Sequence, residues 1–159
     1  MRYKPITVEL IALLVLTMTI SACSKPENPM LNNLQAAVGY RDITSIDRLI
    51  AAGADMEQRD ANGQTPLIAA ASSDQFEIAE HLIAAGADIW ALDDFGMTAG
   101  RMAQRSLTPA TSDEGRARER VIKIMKQRGF PFPAPDRAEV LRMVRTGEWA
   151  KLKAVDKGL

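Results

Sequence analysis

The sequence predicts an all-α fold, a solenoid of about four helical repeats with projecting turns, and three observations carry that prediction. Gly53-Ala54-Asp55 returns as Gly86-Ala87-Asp88, and Gly63-Gln64-Thr65 returns as Gly96-Met97-Thr98, both 33 residues on. Leu49-Ile50-Ala51-Ala52 ahead of the first glycine matches Leu82-Ile83-Ala84-Ala85 ahead of the second, so the identity runs through a helix end. Only 5% of the residues are aromatic while 47% are apolar, which leaves Ala, Leu, Ile, Val and Met to build the core and favours packed helices. A fixed period of this kind marks stacked units, none of which buries its apolar face alone.

The first 22 residues read as a targeting signal. Arg2 and Lys4 give a basic start, residues 10–20 carry no charge, and the small Ser21 and Ala22 follow. The apolar run is 11 residues long, whereas a helix crossing a bilayer needs about 20, so cleavage is expected in place of a permanent span. Ile20-Ser21-Ala22-Cys23 resembles the bacterial lipobox. That resemblance implies an acylated Cys23 as the mature N-terminus, held stably in a membrane on its periplasmic side, because several acyl chains exceed the marginal one-chain regime. Ser24 stands where an Asp would retain such a protein in the inner membrane, which implies the outer membrane. Cys23 is the only cysteine, so no intramolecular disulfide is possible. Residues 23–29, polar and holding Pro26 and Pro29, form a tether of roughly 20 Å at full extension, and residues 30–159 form the repeat domain.

The repeats can be taken in order. In the first, Asn32-Asn33-Leu34 begins a helix with one polar side, as suits an end cap. In the second, Thr65 caps a helix and Pro66 fits its first turn, where a missing N–H costs nothing. Leu67 and Ala70 face the next repeat, and Phe76, Ile78, Ala79, Leu82 and Ile83 form the apolar side of a partner helix that Gly86 ends. Residues 87–95 make a projecting turn. In the third, Thr98-Ala99-Gly100 puts a Gly inside a helix at a cost of about 1 kcal/mol, which predicts a looser repeat. Its second helix is expected over 118–128, because 43 residues separate Gly86 from Gly129, and the insertion is placed at residues 106–115, SLTPATSDEG. Residues 138–159 read as a last helical pair broken at Gly147.

Gly63-Gln64-Thr65-Pro66-Leu67 with Gly-Ala-Asp at this period resembles the ankyrin repeat over residues 32–104. The resemblance implies a protein-binding scaffold whose turn tips and first helices line a concave face. The matching positions are Arg59, Ala61, Asn62, Gln64, Ser72 and Ser73, then Trp90, Leu92, Asp94, Phe95, Met97 and Arg105. Exposed together, Trp90, Leu92, Phe95 and Met97 would make an apolar patch with aromatic anchors; the alternative is that some of them fold back onto the insertion.

Enzymatic routes are narrowed by what is missing. His81 is the only histidine and reads as a partly buried packing residue with one hydrogen bond. With the single cysteine at the lipidation position, no zinc set, Cys–His pair or Ser–His–Asp triad can be assembled. Asp93-Asp94 reads as a solvated or capping pair, and neither a metal nor a cofactor is expected. Between Cys23 and Gly100 there are 4 Lys/Arg against 12 Asp/Glu, and from Arg101 onward 14 against 7. That asymmetry either steers a charged partner or reflects segregated solvated helix faces. The export signal argues against nucleic acid. The expectation is a monomer that is not an enzyme and binds a protein partner at the bacterial envelope. An immunity or inhibitor protein against a secreted toxin or periplasmic enzyme, or a structural envelope lipoprotein, are the alternatives.

Overall fold

The computed structural model describes residues 33–158, so the expected signal segment, Cys23 and the tether lie outside the described residues. The described residues form eight helices and no strand: α1 (Leu34–Gly39), α2 (Ile43–Ala51), α3 (Pro66–Ser72), α4 (Phe76–Ala84), α5 (Ala99–Arg105), α6 (Asp113–Gln127), α7 (Arg137–Thr146) and α8 (Glu148–Asp156). They pair in chain order, and the first helices stack, α1 on α3 and α3 on α5, while α6 lies along α4. The all-helical repeat architecture expected from the period is present.

Most helices start where a short polar side chain can satisfy an orphan N–H. Asn33, Asp42, Thr65, Thr98, Ser112 and Asp136 each accept from the amide three residues on. Helix α8, behind Gly147, lacks such a cap, and so does helix α4, where Gln75 gives none. For α4 the missing acceptor comes from α6: Glu114 takes the Glu77 amide at 3.0 Å and also pairs with Arg41. That borrowed cap ties three repeats together.

Two expectations about the third repeat, the start of its second helix and the extent of the insertion, are corrected. Its second helix begins at Asp113, not near residue 118, because Ser112 caps it, and Asp113 and Glu114 suit the positive end of a helix. The loop is therefore residues 106–112, and Gly115 is helical. Gly100 is buried, and a Cβ built there would sit 2.6 Å from Cε1 of Phe130. The glycine makes room for an aromatic ring that fills the space.

The two projecting tips are copies of each other. Oδ1 of Asp60 accepts the amides of Asn62 and Gln64, and Oδ1 of Asp93 accepts those of Phe95 and Met97. The tips stack: Arg59 donates to the carbonyls of Gly63 and Leu92, and the Asp94 amide donates to the Asn62 carbonyl. Gly63 has φ +71, and a Cβ on it would lie 2.2 Å from Oδ1 of Asp94, so the stacking needs glycine there twice over.

The third connection breaks this pattern. Twelve residues separate Gly53 from Thr65 and Gly86 from Thr98, but only seven separate Gly129 from the cap Asp136. No tip fits in that length. Residues 130–134 instead lie across α5, with Arg101 donating to the Ala134 carbonyl and the Ala134 amide donating to Gln104. Helices α7 and α8 pack on each other and settle on the second tip, with no extensive contact to α5 or α6. Trp149 and Phe130 close over Trp90, their ring centroids 5.3 and 5.0 Å from it. Trp149 Nε1 donates to the Trp90 carbonyl at 3.2 Å, and Trp90 Nε1 donates to Asp156 at 3.0 Å.

Asp156 also accepts two bonds from Arg128, at 2.8 and 2.7 Å, with its own side chain only 3% exposed. Arg128, against the cost of burial and with help from Trp90, holds this carboxyl below the usual carboxylate range. A depressed folded-state value means stability that is complete above the ordinary Asp value of about 4 and lost as pH falls through the folded one. Asp156→Asn should therefore lower stability at pH 7 by about 1.5–3 kcal/mol, the worth of hydrogen bonds to a charged group. In urea titrations the gap between the two proteins should close toward pH 3; a gap of the same size at both pH values would refute the linkage.

Candidate functional site

Among the described residues an open groove lies at the C-terminal ends of α3 and α5. It has a volume of about 440 Å³ and is lined by Ala71, Ser72, Asp74, Met102, Arg105, Ser106 and Leu107. The two helices end one above the other because each is a first helix of its repeat and they stack directly. Ser72 turns its hydroxyl back to the Ala69 carbonyl, a local bond that leaves oxygen lone pairs to accept. Asp74 enters the wall with φ +55, the left-handed turn that redirects the chain into α4. Leu107, in the loop after α5, is 95% exposed. An acid, a base, two hydroxyls and apolar surface from Met102 and Leu107 thus face one open space. Such a set suits recognition of a peptide surface by mixed polar and apolar contacts.

Of the concave-face positions read from the sequence, Ser72 and Arg105 come together in this groove. Ser73 is exposed at the end of α3. Arg59, Asn62 and Asp94 are exposed on the tips, where Arg59 and Asn62 already serve tip stacking. Gln64 is partly buried, its carbonyl accepting from the Gln35 side chain at 2.6 Å, and Ala61 is exposed. Leu92 and Met97 are partly buried, and Phe95 remains 56% exposed. Trp90 is 1% exposed, which corrects the expected surface patch. It is covered not by the insertion but by Phe130 and Trp149, since its polar tip finds Asp156 and its ring completes an aromatic cluster worth about 0.5–1.5 kcal/mol per pair beyond area.

Ala71, Asp74, Met102, Ser106 and Leu107 were missed as lining residues. The one signal in the sequence is Leu107, an apolar residue inside an otherwise polar, turn-rich stretch. His81 is partly exposed and pairs with Asp47 from the neighbouring repeat. Asp93 is a buried tip acceptor. Among the described residues no group of His, Cys, Asp and Glu is arranged to hold a metal ion, and no helix is long and apolar enough to cross a membrane. The charge asymmetry is used in part inside the molecule, where Arg120 pairs with Glu80 and Lys153 with Asp88.

The family model described as ankyrin repeats, in three copies, matches residues 13–106. Over 66 residues the chain is 36% identical to an L-asparaginase from Dirofilaria immitis, a stretch that makes up 42% of this chain and 11% of that protein. The chain thus spans about a tenth of the length of the curated relative it matches. The repeats are typically non-enzymatic, and that short overlap carries no activity across.

Proposed function

This chain belongs to the ankyrin-repeat family, its repeats forming a protein–protein interaction module, and from that premise we propose an envelope lipoprotein that binds one protein partner through the groove between α3 and α5. The groove carries the reading: it is open, it joins repeats two and three, and it offers Asp74 and Arg105 beside the exposed Leu107. Side chains of opposite charge flanking an apolar contact fix the orientation of a partner segment, while the apolar part supplies most of the affinity. Acylation at Cys23 would keep this module at the periplasmic face of the outer membrane.

The test is a crosslinked pull-down of the tagged protein from its native envelope, with Arg105→Glu, Leu107→Asp as the comparison. One dominant partner, recovered at least about tenfold less with the double variant, is expected from the loss of one central anchor. Equal recovery by both proteins would exclude the groove. In the same cells Cys23→Ser should abolish membrane fractionation and processing. Normal anchoring, with residues 1–22 retained, would instead make the apolar run of residues 10–20 itself the anchor.

A further inference from the structure

The groove is not the only exposed feature. Helix α7 buries Val140 and Met143 against its partner, yet leaves Leu141 and Val144 40% and 45% exposed. Arg137, Leu141, Val144 and Arg145 follow at i, i+4, i+7 and i+8, which places them on one face of the helix. That face carries no acid. The acids of α7–α8 nearest to it are otherwise engaged: Glu139 and Glu148 both bind Arg142, and Asp136 caps the helix. Arg137 and Arg145 are exposed, and neither makes an ion pair among the described residues.

The position of this stripe is fixed by the tips. A Cβ on Gly96 would lie 3.5 Å from Cγ of Arg137 and 3.7 Å from Cδ2 of Leu141, so α7 rests on the second tip next to the exposed Phe95. The second tip stacks on the first, and the first takes the Gln35 side chain from the opening turn of α1. The start of α1, both tips and the α7 stripe therefore share one edge of the molecule. Helices pack about 8–10 Å apart, so the stripe lies about 20 Å along that edge from Asn33. Ten residues lead from Cys23 to Asn33, a reach of at most about 35 Å.

We propose that the tip edge is the membrane-facing side of the solenoid, and that Arg137, Leu141, Val144 and Arg145, with Phe95, dock on an anionic lipid surface. The tether part of this argument rests on the lipid-anchor reading above; the cationic and apolar stripe does not. Two arginines and three partly exposed apolar side chains are too few for tight binding by themselves. They suffice for a domain already held at the bilayer, where a tether makes the second contact intramolecular. The exposed acids of this edge, Asp94 before Phe95 on the second tip and Asp55 on the first, set a limit on the attraction. Docked in this way the module would present the groove, at the opposite ends of α3 and α5, away from the lipid.

The chain from residue 23 onward with Cys23→Ser, which bears neither an acyl group nor the apolar run of residues 10–20, serves as the probe for flotation with vesicles. Vesicles of phosphatidylcholine with phosphatidylglycerol should bind it, and vesicles of phosphatidylcholine alone should bind it much less. Adding Arg137→Gln and Arg145→Gln should weaken the anionic binding about 30-fold, two cationic contacts of about 1 kcal/mol each, with thermal unfolding unchanged. Equal binding to both vesicle types, or equal binding by both proteins, would overturn the proposal. So would loss of a captured protein in the arginine variant with vesicle binding intact, which would make the stripe a protein site. Because the probe lacks the acyl chain, a failed anchor appears only in cell fractionation and a failed surface only in flotation.

Discussion

Replacing Trp149 by alanine is expected to remove about 3–5 kcal/mol, the usual cost of truncating a buried aromatic. Trp149 is the wedge that joins α7–α8 to the rest of the stack: it lies 5.3 Å from Trp90 and 5.9 Å from Phe130, and its indole N–H reaches the Trp90 carbonyl. The pair has few other holds, chiefly Lys153 on Asp88 and Asp156 on Arg128 and Trp90. In a repeat stack each unit leans mainly on its neighbours, so the loss should be local. Amide exchange is expected to accelerate over α7 and α8 while α3 and α4 keep their protection. Uniform acceleration through all helices would show that the terminal pair is part of a single cooperative core.

Gly115→Ala is the second large effect, expected to cost about 3 kcal/mol, the upper range of overpacking. A Cβ at this helical position would lie 1.9 Å from the Pro109 carbonyl oxygen and 2.9 Å from Cα of Ala110. Both are backbone atoms, so no side-chain rotation can relieve the clash. Either the loop over residues 106–112 lifts off α6 or the first turn of α6 frays, and the second route would take Glu114 away from the α4 amide it caps. Gly129, where nothing lies within 4 Å of a built Cβ, is the natural control, since only its φ of +83 opposes alanine there. Chemical denaturation of both variants checks this: similar midpoints would mean that the loop yields freely and the close approach at Gly115 has no energetic weight.

Much of the fold was legible because the period and the caps are local signals. Thr65, Pro66 and Thr98 announce helix starts by their own chemistry, and the 33-residue recurrence of the Gly-Ala-Asp and Gly-x-Thr motifs fixes the register. The start of α6 was misjudged because the period was followed into a stretch where Ser112-Asp113-Glu114 already spelled a cap and an acidic first turn. The glycine at 115 read as a loop residue, whereas its reason is the close approach of the Pro109 carbonyl from the loop that folds back over it. Trp90 could not be placed from its own repeat. Its partners, Phe130, Trp149 and Asp156, come from beyond the period, and a tryptophan at a tip reads as exposed until something is known to cover it. The groove was half legible: Ser72 and Arg105 follow from equivalent positions in successive repeats, but Asp74 and Leu107 depend on a turn and a loop that the repeat pattern does not encode.

The missing five residues of the third connection also decide how this array can grow. A helical stack that ends in a regular unit leaves a face to which a further unit, or the first face of another copy, can add, and repeated head-to-tail addition gives filaments. Here residues 130–134 lie over α5, and the last two helices are folded onto a tip, so the next rung has no seat. Duplication of a unit in the gene could lengthen the stack upstream of Gly129, where tips remain to be stacked upon, but an extra unit appended after α8 would start from a surface of the wrong shape. The shortened connection thus fixes where the stack stops, independently of what the terminal helices themselves contain.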